Sequence, residues 1–279
     1  MNRRAVLVLA AGVLFLGLVA AGVREGGRKL RERKERQVEG LRQLDAARND
    51  IVGALRHSVE SGEVLEDPTK HLQEYDARLT SATEHLSADD RKPVIAGQRV
   101  LAQLTPLLQV YTRELKTLQE QGFSAPASLS SREAIRERSE SVSRFDKANA
   151  DLLTFYGGVE EAYRAELKKE RLSELVQTQA IAGFRAGANI PLNISIRKAD
   201  AELARLMQRT LDILDRNWGR WRVAEDDEVL FDEAEALAQF SAVQSELEQT
   251  AEHQRLAQAE LLEATSKAQM TRRVPPKNR

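Results

Sequence analysis

The chain has 279 residues, 30% charged and 5% aromatic, with 42 lysines and arginines almost balanced by 43 aspartates and glutamates. A formal charge of −1 gives no general pull toward nucleic acid, and the absence of cysteine excludes disulfides and thiolate metal sites. Few glycines and prolines, abundant Ala, Leu, Glu, Arg and Gln, and no runs of alternating β-branched residues predict an all-α protein: an elongated antiparallel helical bundle or coiled coil.

The first predicted element, after a basic tail at residues 1–4, is a membrane span. Ala5 to Val23 is a run of 19 apolar residues with Arg3 and Arg4 before it and Arg24 after it. At about 1.5 Å per residue this helix spans roughly 30 Å, the thickness of a bilayer's hydrocarbon core. A cleaved secretory signal is the rival, because Val19-Ala20-Ala21 suits a peptidase. The run exceeds the usual signal core of about 7–15 residues and ends on arginine, which favours an uncleaved signal-anchor. Gly17 and Ala21 have a small-xxx-small spacing that permits helix pairing, a spacing that arises easily by chance in an Ala/Gly-rich run.

Arg24, Arg28, Lys29, Arg31, Arg33, Lys34 and Arg36 make residues 24–37 a basic juxtamembrane stalk, loosened at Gly26-Gly27. Cations beside a span tend to stay in the cytoplasm, so their number favours a cytoplasmic bulk domain, whereas Arg3 and Arg4 pull toward a periplasmic one. In the cytoplasm this stretch would contact anionic lipid headgroups at up to about 1 kcal/mol per charge; its simpler role is to set topology. The expected location is the bacterial inner membrane, crossed once.

A first helical segment is predicted over 38–122. Its first helix, from about 28 to 61, carries Leu41, Leu44, Ile51, Leu55 and Val59 on one face. Asp67-Pro68 reads as an N-cap followed by proline at the first helical position, opening a helix with Leu72, Tyr75, Leu79, Ala82 and Leu86. Ser87 and Asp90 resemble a capping box. The next helix keeps a three-four alternation through Val94, Gly97, Leu101, Leu104, Leu108, Tyr111, Leu115 and Leu118, with a kink expected at Pro106. A linker follows at 123–130.

The second helical segment, 131–269, opens with a predicted capping box of Ser130 and Glu133. One helix of some 50 residues is then expected as far as Phe184, which Gly157-Gly158 either interrupts or opens to the close approach of a neighbouring helix. Asn149 breaks its apolar stripe between Phe145 and Leu152, as a pocket residue or as a buried asparagine that sets register. The loop from Ala186 to Pro191 ends it, and Asn193 or Ser195 caps a helix bearing Leu203, Leu206, Met207, Ile213, Leu214, Trp218 and Trp221. Arg197, Lys198, Arg205, Arg209, Arg216, Arg220 and Arg222 make that helix basic, while Glu225 to Glu263 holds twelve carboxylates against Arg255 alone. Opposite charge suits an antiparallel hairpin with solvated faces and a few interhelical pairs, or an acidic docking surface for a basic partner. The last helix is expected from about 227 to 268, and residues 270–279 read as a disordered basic tail.

No catalytic, cofactor-binding or metal-binding constellation is found. His57, His71, His85 and His253 lack HExxH spacing, and the acidic run from Glu225 to Glu228 lacks the glycine and final glutamate of a calcium loop. Phosphate-binding glycine motifs, serine nucleophile elbows and Glu-x-x-His pairs are missing as well. The expectation is a non-enzymatic scaffold or adaptor with a protein partner or a second copy of itself, and no small-molecule substrate, cofactor or nucleic acid. Its candidate partner contact is Trp218 and Trp221 with Arg216, Arg220 and Arg222; the plainer reading, which is favoured, has the two tryptophans close the hydrophobic end of the bundle, and the sharper one has the cluster anchor a partner or meet the membrane interface. The alternative is a periplasmic helical-bundle sensor with a polar pocket between helices.

Overall fold

A computed structural model describes residues 68–122, 126–129, 131–224 and 228–273, together with helical residues at 39, 42, 43, 46, 49, 50 and 53. The expected span at 5–23, the basic stretch at 24–36, His57 and the last six residues lie outside the described residues. Among the described residues no helix is long and apolar enough to cross a membrane.

The described chain is a helical bundle of α1 (Pro68–Glu84), α2 (Ala88–Glu120), α3 (Arg132–Lys169), α4 (Glu174–Ala188), α5 (Ile190–Arg216) and α6 (Ala234–Arg273). Two short strands, β1 (Trp221–Val223) and β2 (Val229–Phe231), interrupt the last helical pair. Local sequence explains most boundaries. Pro68 is the first residue of α1, where its missing N–H costs nothing. Ser87 Oγ accepts from the Asp90 N–H at 3.2 Å while its hydroxyl donates to the Asp90 carboxylate at 2.6 Å, so Ser87 caps α2 as its N-cap residue. The helix continues through Pro93 and Pro106.

Ser131, not Ser130, caps α3, accepting from the Ala134 N–H at 3.0 Å; Glu133 pairs instead with Arg136. Pro126–Leu129 within the linker form a 3₁₀ turn. The expected 50-residue helix ends early, at Lys169, where Arg171 adopts φ 53° and Ser173 caps α4. Gly157 and Gly158 stay helical, and a Cβ at either would touch nothing within 4 Å, so they neither break the helix nor admit a close neighbour. The turn lies among charged residues with no glycine or proline to mark it.

α5 starts at Ile190 directly after Asn189, which takes φ 45° and makes no side-chain cap. Asn193 was expected to cap this helix; instead its amide donates to the Ala188 and Asn189 carbonyls, both at 3.2 Å, satisfying the end of α4. A β-hairpin where only helix and turn were expected is the largest correction. Trp221 pairs with Phe231, Arg222 with Leu230 and Val223 with Val229, in strands too short for their alternation to stand out in sequence. α6 accordingly begins at Ala234 and continues to Arg273, into the stretch expected to be tail.

Antiparallel registers define the bundle. α1 lies against α2 through Gln98 to Asp76 and Arg91 to Thr83. α2 lies against α3 through Arg144–Glu114 at 3.1 Å and Tyr163 to the Pro93 carbonyl at 3.3 Å. Ser139 with Gln208 and Asn149 with Arg197 set α3 on α5, and Gln244 with Thr210 and Asn189 with Thr265 set α6 on α5. α4 and α5 share one line along α3, since Arg185 reaches Glu160 and Phe184 stacks on Tyr163 at 4.8 Å. The core is the continuous leucine-rich stripe of these faces, with Leu79, Leu104, Leu115, Leu152, Leu167, Leu206 and Leu261 all at most 1% exposed.

Candidate functional site

About halfway along the bundle, polar side chains replace the leucine stripe. Tyr111 from α2, Asn149 and Tyr156 from α3, Arg197 and Asp200 from α5 and Gln254 from α6 are each at most 1% exposed. On α5 the buried positions include Asn193, Ile196, Arg197, Asp200, Leu203, Met207 and Leu214, so Arg197 and Asp200 stand where apolar residues belong.

Arg197 was expected on a solvated basic face; it is instead fully buried. Its guanidinium carbon lies 4.4 Å from the centroid of the Tyr111 ring, and Nη1 lies 3.0 Å from Asp200 Oδ2. Tyr111 donates its hydroxyl to Asp200 Oδ2 at 2.9 Å, and the Gln254 amide donates to Oδ1. The Asn149 amide donates to the Arg197 backbone carbonyl at 2.7 Å, tying α3 to α5. One carboxylate therefore gathers groups from three helices, and Asn149 adds the fourth.

Burial governs the ionisation of these groups. It pushes the Tyr111 and Tyr156 phenols up, out of reach of physiological pH, and pushes Asp200 upward against the opposing charge of Arg197. Burial also works against the Arg197 charge, but Asp200 and the two phenols outweigh it, so the guanidinium stays protonated. These buried polar contacts tie α2, α3, α5 and α6 together. Arg197 Nη2 and Asn149 Oδ1 have no hydrogen-bond partner among the described residues.

Charged clamps outside the centre hold helix pairs. Glu114 is held by Arg113 and Arg144, and Glu166 by Arg99 and Lys169. Glu160 receives both Arg185 and Arg164, and its carboxyl is held down at about 2. Arg138 reaches back to the Gln121 carbonyl and to Ser128 Oγ at 3.2 Å, latching the α2–α3 connection, and burial lowers its pKa.

The predicted aromatic–arginine group lies at the α5–α6 end. Trp218, 36% exposed, packs edge-on against Trp221 at 5.7 Å, and Trp221 donates its indole N–H to the Leu214 carbonyl at 2.9 Å. Arg216 bonds the Asp212 carbonyl, Arg220 pairs with Glu233, and Arg222 is exposed on β1. Trp221 thus closes the bundle while Trp218 and Arg222 face solvent. Of the basic and acidic helices, Arg205 and Arg209 approach Glu246 at 3.8 and 3.5 Å.

His71 and His85 are partly buried and His253 is exposed. Among the described residues no cluster of histidines and carboxylates could hold a metal ion. Comparison of the chain with protein-family models, with curated proteins and with solved structures finds no match.

Proposed function

We propose that this protein is a non-enzymatic, membrane-tethered helical scaffold or adaptor, held once across the bacterial inner membrane by residues 5–23 and acting through protein–protein contact. The observation that carries this reading is the α5–α6 connection. It occupies residues 217–233, where antiparallel helices usually need about 2–8 residues, and it presents Trp218 and Arg222 to solvent. A tether confines such a surface to the membrane and raises its effective concentration for a partner held there. The buried polar centre supports the same reading, since it fixes the relative positions of four helices and gives the hairpin a rigid mount.

A periplasmic sensor is the second reading, favoured by one observation: Arg197 Nη2 and Asn149 Oδ1 are buried without partners in the described chain, as polar groups meant for a small ligand would be. Reporters fused to the carboxyl end separate the two. Activity of a reporter that works only in the cytoplasm supports the adaptor with an internal partner. Activity of one that works only after export moves the bundle to the envelope and favours the sensor.

A further inference from the structure

Helix registers fix which end of the bundle receives the N-terminal segment. Ser81 donates to Gln43 at 3.4 Å and Arg78 pairs with Asp50, so the helical residues from Gln43 to Asp50 that the structure describes run antiparallel to α1. α1 is antiparallel to α2, which brings residue 43 level with the first turns of α2 and residue 39 one turn closer to that pole. α3 ends at the same pole, where Arg99 pairs with Glu170 at 2.7 Å. The turn from α3 to α4 therefore sits where the N-terminal segment enters. The tryptophan hairpin occupies the other pole, because Arg132 at the start of α3 pairs with Asp215 at 2.9 Å. The 38 residues of α3 put about 55 Å between them.

The entry pole has its own exposed chemistry. Leu175, 62% exposed, is the most exposed large apolar residue among those described. Lys168 and Arg171 are exposed beside it, and neither has an ion pair among the described residues. Neighbouring cations are committed elsewhere: Lys169 to Glu166, Arg99 to Glu166 and Glu170, and Lys92 to Asp89. Glu174 stands in the first turn of α4, where the unpaired backbone N–H groups offset its charge.

We infer that this pole rests on an anionic lipid surface, with Leu175 reaching the headgroup level and Lys168 and Arg171 contacting lipid phosphates. The inference depends on the anchor proposed above. Even fully extended, residues 24–38 reach at most about 50–54 Å, just short of the roughly 55 Å between the poles, so the tether keeps the α3–α4 turn nearer the bilayer than the hairpin. An apolar tip ringed by long cations suits that boundary, because lysine and arginine bury their stems while their charges meet phosphate.

The chain has no cysteine, so full-length protein carrying Leu175→Cys or Arg222→Cys takes a fluorophore at one site only. Each is reconstituted into vesicles of phosphatidylglycerol and phosphatidylethanolamine bearing a headgroup-linked quencher. The expected result is several-fold stronger quenching at 175 than at 222, abolished by Lys168→Glu with Arg171→Glu. Equally weak quenching at both sites in protein that resists carbonate extraction overturns the lipid-facing pole and leaves the anchor standing. Stronger quenching at 222 reverses the polarity. Protein released by carbonate overturns the anchor, and this inference with it.

Discussion

The Arg197 guanidinium lies 4.4 Å from the centre of the Tyr111 ring while Tyr111 donates its hydroxyl at 2.9 Å to Asp200, the carboxylate that Arg197 also contacts. Phenol, carboxylate and guanidinium thus depend on one another. Removing one partner leaves a buried charge without compensation, so Arg197→Ala or Asp200→Ala is expected to cost about 3–5 kcal/mol in chemical denaturation. Replacing the group together, by Tyr111→Phe, Arg197→Met, Asp200→Leu and Gln254→Leu, is expected to be neutral or to stabilise by about 1–4 kcal/mol. A quadruple variant as unstable as the single ones would show that the centre contributes net stability.

Acid is expected to loosen α4 before the bundle. Glu160 clips α4 to α3 through Arg185, and its carboxyl is depressed from the ordinary 4.5 to about 2. A depressed carboxylate stabilises the fold above its unfolded pKa, and that contribution is lost as pH falls from about 4.5 through about 2. Hydrogen exchange of residues 174–188 should rise across that window while α2 and α5 stay protected. Glu160→Gln should make exchange of α4 fast at neutral pH and remove the step.

Arg138 should control the α2–α3 connection. Its guanidinium holds Gln121 and Ser128 across the turn, so Arg138→Ala is expected to cost about 1.5–3 kcal/mol and to open residues 121–131 to proteolysis. Unchanged protease resistance would assign the order of that turn to the 3₁₀ segment alone.

The two tryptophans should behave differently. Trp221 packs on the core and donates to Leu214, so Trp221→Ala is expected to cost near the lower end of the roughly 3–5 kcal/mol typical of large aromatics. Trp218 packs edge-on against Trp221 and is otherwise largely exposed, and Trp218→Ala should stay within about 1 kcal/mol. If that variant loses a binding partner at unchanged thermal stability, Trp218 is a contact residue. Equal destabilisation by both would make the pair purely structural.

Helix content and most inward faces were legible because apolar residues recur at three-four spacing over long stretches, as from Val94 to Leu118. Asn149 was legible as an interruption of such a stripe. Arg197 was not: on a helix rich in arginine its charge read as one more solvated residue, although its place with Asp200 on the inward side of the helix was visible in the spacing. The break at Arg171 was hidden because no glycine or proline marks it, and Gly157-Gly158, which look like a break, are held helical by their neighbours' packing. Trp221–Val223 and Val229–Phe231 were missed because three residues are too few for a period of two to register.

Asn189 separates α4 from α5 without changing the line they follow along α3. Pro191 accounts for the break, since its ring would collide with the carbonyl of Gly187 in a continuous helix and it has no N–H to give. What would be a single rod is therefore jointed, at the level where Asn189 meets Thr265 of α6. A push on the α4 end need not travel to Arg197 and Asp200 as it would along an unbroken helix. The joint leaves α3, unbroken from Arg132 to Lys169, as the rigid path between the entry pole and Asn149 at the centre.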